Sequence, residues 1–111
     1  MNINQGENVL IETTLFQSDG TTPLVIADLT LLEARIKQAD RVRATYRLGI
    51  NNEIRQGSAS NKVEVEITRF LAGLLDKGPV NLRLVMELED NTFEVDQVQR
   101  DEHETEIFTI V

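Results

Sequence analysis

A period of two runs through most of the chain. Val80, Leu82, Leu84, Met86 and Leu88 make its longest apolar stripe, while Asn81, Arg83, Glu87 and Glu89 face the other way. Such alternation is the mark of a strand with one wet face. Val63, Val65 and Ile67 alternate with Glu64 and Glu66 in the same manner, and Arg41 to Leu48 alternates at every position. In Leu32-Glu33-Ala34-Arg35-Ile36-Lys37 the apolar side chains fall on one face and the charged ones on the other. Val9 to Phe16 is rich in strand formers, and Glu106 to Val111 is apolar on both faces, as expected of a strand inside its sheet.

Turn chemistry separates these runs. Asp19-Gly20, Gln38-Ala39-Asp40, Gly49 with Asn51-Asn52, and the polar stretch Gln56 to Asn61 each break the alternation. A helix competes over residues 28–48, because Leu29, Leu32, Ile36, Ala39 and Tyr46 lie near a helical spacing. Only the strand template accounts for all eight positions from Arg41 to Leu48. Thr68 reads as an N-cap for a short helical turn over residues 69–75, stopped at Gly78-Pro79. Asp90-Asn91 is suited to a tight hairpin that sets Phe93 opposite Leu88 and Val95 opposite Met86, with a bulge near Asp96-Gln97. Arg100 to Glu104 reads as a charged loop.

Seven or eight short strands with one helical turn predict a single all-β domain over residues 1–111. The expected architecture is two antiparallel sheets packed face to face, an immunoglobulin-like sandwich. Val9, Ile11, Ile36, Val65, Leu84, Met86, Phe93 and Ile107 are its expected core.

Composition narrows the class. Apolar residues are 41% and charged residues 27%, which suits a globular domain rather than a disordered one. With no Trp, one Tyr and four Phe, the core falls to Leu, Ile and Val. The net charge of −8 opposes binding to phosphate backbones, so nucleic acid is not an expected partner. Cysteine is absent, which excludes disulfides and thiolate metal sites. No apolar run approaches the ~20 residues of a membrane-spanning helix, so no membrane is expected. Met1 to Glu7 lacks the basic and apolar regions of a secretory signal, and cytoplasmic synthesis is expected.

Candidate chemistry is sparse. The six glycines are scattered and form no phosphate loop, and His103, the single histidine, has no nucleophile elbow to serve. Asp96, Asp101, Glu102, His103, Glu104 and Glu106 could offer hard ligands to Ca²⁺, but their spacing matches no calcium loop; solvated charges are expected and no bound ion. Glu64/Glu66 and Glu87/Glu89 are paired carboxylates on wet faces with no aromatic platform for a sugar. No cofactor and no catalysis are expected. The one asymmetry is a basic stripe, Arg35, Lys37, Arg41, Arg43 and Arg47, in an acidic chain. It reads either as cross-strand partners for Glu64, Glu66 or Glu87, or as a docking face for another acidic protein subunit. Weak, salt-sensitive self-association is the most expected of the isolated domain.

Several motifs in order carry a family resemblance. Ile3-Asn4-Gln5-Gly6-Glu7-Asn8 leads into a strand. Asp19-Gly20, Pro23-Leu24 and Asp28-Leu29-Thr30 precede a Leu-x-Ala-x-Ile strand, and Val63 to Thr68 precedes a short turn ending Leu74-Leu75-Asp76-Lys77-Gly78 and a long hairpin. This order resembles the N-terminal domain of phage baseplate upper proteins, although Gly78-Pro79-Val80 stands where that family has Gly-x-Tyr. The resemblance implies a β-sandwich that docks into a tail or baseplate, a structural or adaptor role in a phage or prophage particle, a place in the virion, and other tail or baseplate subunits as partners. A carbohydrate- or cell-surface-binding sandwich is the alternative.

Overall fold

The computed structural model describes residues 1–111 apart from Ser18, Asn91, Phe93, Glu94 and Asp96. Its strands are β1 (Asn2–Ile3), β2 (Val9–Thr14), β3 (Leu29–Gln38), β4 (Arg41–Arg47), β5 (Ile54–Gln56), β6 (Lys62–Ile67), β7 (Gly78–Glu89) and β8 (Val98–Ile110), with one helix, α1 (Arg69–Leu74), and a 3-10 turn at Ile26–Asp28. They form a five-stranded sheet in the order β1-β8-β7-β3-β4 and a three-stranded sheet in the order β2-β6-β5. The all-β, two-sheet sandwich is as expected. One pairing differs: β1 lies parallel to β8, with Asn2 beside Thr109 and Ile3 beside Ile110.

The alternating stripes become the core. Across the large sheet Ile36 is level with Leu82, Ala34 with Leu84 and Leu32 with Met86, so one face presents a continuous apolar surface. Val63, Val65 and Ile67 from β6 and Ile54 from β5 belong to the same buried cluster, together with Phe108 and Ile110. Of the expected core, Ile36, Val65, Leu84 and Met86 are buried, and Val9, Ile11 and Ile107 pack half-buried against them. Phe93 lies outside the described residues.

Residues 29–47 are two strands joined by a two-residue turn, and the helical spacing there has no structural counterpart. Ala39 (φ 52°) and Asp40 (φ 62°) are both left-handed, the geometry that matches a hairpin turn to the twist of its strands. The alternation of β4 is interrupted. Ile36 pairs with Ala44 but Lys37 pairs with Val42, so Arg43 is an extra residue in the ladder. Below this bulge the side chains change face. Val42, expected inside, is turned outward and is 51% exposed.

Thr68 caps α1 as expected, its Oγ1 accepting from the Leu71 N–H at 3.2 Å. Leu71 and Ala72 are buried, so the helix closes one end of the sandwich. Gln38 fixes that end. Its Nε2 donates to the Asp76 carbonyl at 2.6 Å, and its Oε1 accepts from the Asp76 N–H at 2.8 Å.

The far end departs from expectation. Leu88 pairs with Gln99 and Met86 with Asp101, so Val95 is not the partner of Met86; the placement expected of Phe93 lies outside the described residues. Val95 is instead almost fully exposed in a longer connection, and the bulge expected near Asp96 lies outside the described residues. The irregularity of this ladder falls between Val80 and Asn81, opposite Ile107. Arg100 to Glu104 is strand, not loop. The reason is physical. Gln99, Asp101, His103 and Thr105 share the inner face with Leu84 and Met86, yet the smaller sheet leaves them half-buried or exposed. A strand with two wet faces has no apolar period to reveal it.

Candidate protein-docking site

The outer face of the large sheet is built from β8, β7, β3 and β4 in register. One row runs Glu106, Asn81, Lys37, Val42; the next on the same face runs Glu104, Arg83, Arg35, Thr45; the third runs Glu102, Val85, Glu33, Arg47. Acids therefore line the β8 side, while Arg83, Lys37, Arg35 and Arg47 lie inward of it with Glu33 among them.

Ion pairs within and between these rows neutralise the face. Lys37 Nζ donates to Glu104 Oε1 at 2.9 Å, and Asn81 Nδ2 to Glu104 Oε2 at 3.0 Å. Arg83 Nε donates to Glu102 at 3.3 Å, and Arg35 Nη2 to Glu33 at 3.1 Å. Arg47 lies 3.8 Å from Glu33, and Arg100 2.7 Å from Glu87. The Arg83 hydrogen bond holds the Glu102 carboxyl below the usual carboxylate range, and Lys37 followed by Asn81 does the same for Glu104. Beneath these charges Val85 is fully buried although it lies on the outer face. The aliphatic stems of the charged side chains exclude water from it while their heads stay wet.

The five predicted docking residues are thus not one surface. Arg35, Lys37 and Arg47 share the outer face. The bulge sends Arg43 to the closed end, where its Nη2 donates to the Leu74 carbonyl at 2.7 Å and its Nη1 lies 3.3 Å from Asp76. Arg41 sits at the hairpin, level with Gln38, and makes no ion pair among the described residues. Their partners also differ from the expected Glu64, Glu66 and Glu87. Glu64 and Glu66 both bind Arg55, at 2.7 and 3.1 Å, on the other sheet. Of the acids that pair with the stripe, Glu102 and Glu104 come from the segment read as a loop, and Glu33 and Asp76 from elsewhere.

The inner face of β8 borders a second feature. Thr13, Thr14, Phe16, Leu84, Met86 and His103 line an open groove of about 310 Å³ between β8 and the end of β2. Its floor is apolar and its rim polar, and Phe16 stays partly exposed within it. The residues weighed above for a Ca²⁺ site do not converge here. Asp101 and His103 point to the inner face, Glu102, Glu104 and Glu106 to the outer, and Asp96 lies outside the described residues. Among the described residues no group of three or more acids and histidines is placed to hold a metal ion, and no helix is long and apolar enough to cross a membrane.

Comparison with known proteins returns no matching family model, no matching curated protein and no matching solved structure.

Proposed function

We propose that this chain is a non-catalytic structural or adaptor module whose ligand is another protein subunit, and that the assembly it serves is a phage or prophage tail or baseplate. The immunoglobulin-like class of sandwich is the architecture this reading uses. The observation that carries the docking role is the open groove between β8 and the end of β2. Leu84 and Met86, themselves almost wholly buried, lie at its floor, and the partly exposed Phe16 stands on its wall. A mixed apolar and polar surface of this kind suits a subunit contact. The ordered motifs from Gln5-Gly6 through Asp28-Leu29-Thr30 to the outgoing hairpin support the particle.

The test is mass spectrometry of particles banded on a density gradient from cells that express the chain. The chain is expected to band with tail proteins in fixed ratio. Confinement to the particle-free fractions overturns the assignment. The second reading, a carbohydrate-binding sandwich, is favoured by one observation, the partly exposed Phe16 ring in the same groove as His103. Glycan-array binding that disappears in Phe16→Ala would select it.

A further inference from the structure

The large sheet ends in two open strand edges of opposite charge. On one side β1 covers only Thr109 and Ile110, so β8 has no outer partner from Val98 to Phe108 among the described residues. That stretch holds Asp101, Glu102, Glu104 and Glu106 against a single Arg100. On the other side β4 is the last strand, and it holds Arg41, Arg43 and Arg47 with no acid. Asn51 Oδ1 accepts the Arg47 N–H at 2.9 Å, which leaves Arg41 to Tyr46 as its open stretch.

Strand direction makes the two edges compatible. β8 is antiparallel to β7, β7 to β3 and β3 to β4. It follows that β8 and β4 run in opposite senses. A second copy translated sideways, without turning over, therefore presents β4 antiparallel to β8 with both outer faces on the same side. In the level register Val42 of the incoming copy meets Glu106, Thr45 meets Glu104 and Arg47 meets Glu102, and no like charges meet.

The geometry points to head-to-tail self-assembly, in which β4 of one copy adds to β8 of the next and extends the five-stranded sheet. The occupant of the β8 edge is a second copy of this chain. The contact is heterologous, so it propagates into a ring or an open stack according to the sheet twist. An edge ladder buries little surface, so the contact is weak for a free monomer and grows with concentration. Charged edges commonly block indiscriminate pairing; here the level register sets Arg47 beside Glu102 and brings no like charges together. This inference stands without the phage assignment.

Val42 and Glu106 are both exposed and neither makes an ion pair among the described residues, so they can be changed without disturbing the fold. Sedimentation equilibrium at low salt and high concentration is expected to show a weight-average mass above the 12.6 kDa monomer. V42E should weaken association at least tenfold at unchanged melting temperature, and V42E combined with E106K should restore it. Hydrogen exchange should slow with concentration at residues 41–46 and 99–106. A monomer at every concentration, no effect of V42E, no rescue, or protection confined to the exposed Phe70 and Leu74 of α1 would each overturn the inference.

Discussion

Phe108 and Phe70 offer a controlled comparison, because the same ring is removed from opposite environments. Phe108 is 1% exposed, on β8 level with Val80, inside the cluster shared by both sheets. Phe70 lies on the first turn of α1 and is 79% exposed. Phe108→Ala forfeits the burial of the ring and leaves a cavity that the sheets cannot close, about 3–5 kcal/mol. A domain of this size holds roughly 5–15 kcal/mol in all, so this is a large share. At about 4 °C per kcal/mol the melting temperature should drop by about 12–20 °C. Phe70→Ala should stay within about 0.5 kcal/mol. Urea unfolding followed by circular dichroism measures both, and the slope should be unchanged while the Phe108→Ala midpoint falls. Equal losses at the two sites would refute the reasoning, since α1 would then bury the face assigned here to solvent.

Three further outcomes follow from local geometry. Gln38→Leu removes both hydrogen bonds to the Asp76 backbone and should cost about 1–3 kcal/mol in urea unfolding. Replacing Ala39-Asp40 by Asn-Gly relieves two left-handed non-glycine residues and should raise the melting temperature by a few degrees, about 1 kcal/mol. Stability should fall in acid: Glu102 and Glu104 are held below the ordinary value of 4.5 by Arg83 and Lys37, so their contribution is full above that pH and lost as pH falls through their lowered values. Asp19 is pushed down to about 2 by its hydrogen bonds from Thr22 and Thr21, so it stays ionised well into acid. Urea midpoints from neutral pH to about pH 3, with and without added salt, check the trend. A midpoint that rises in acid would contradict it.

What the sequence reveals depends on whether one face of a strand is dry. The stripes of β6 and β7 have a buried face, and their apolar period announces strand, face and core together. The Thr68 cap and the Ala39-Asp40 turn are local devices and are equally readable. β8 is different: from Gln99 to Glu106 both faces meet water, so charge hides a strand that supplies Glu102 and Glu104 to the basic stripe. The bulge at Arg43 is hidden for another reason. The residues of β4 alternate without interruption, and the extra residue shows only when Ile36 and Lys37 are matched to Ala44 and Val42. One insertion then divides an apparently continuous arginine stripe between two surfaces. Val85 gave no signal because a lone apolar residue among charges has no period of its own.

The β1–β8 pairing carries a consequence for the order in which the fold is made. The β3–β4 and β7–β8 hairpins join residues close along the chain, and each can form early at small entropic cost. Joining Asn2 to Thr109 closes a loop of almost the entire chain and returns only a two-residue ladder. That ladder gains its position only when the remaining sheet has already fixed β8, so it assembles late. By the same accounting it is the first to let go, and each release of β1 lengthens the exposed backbone of β8 through Ile110. Native-state hydrogen exchange should therefore find the amides of Thr109 and Val111, which bond to Met1 and Ile3, opening far more often than those of β7 beside them.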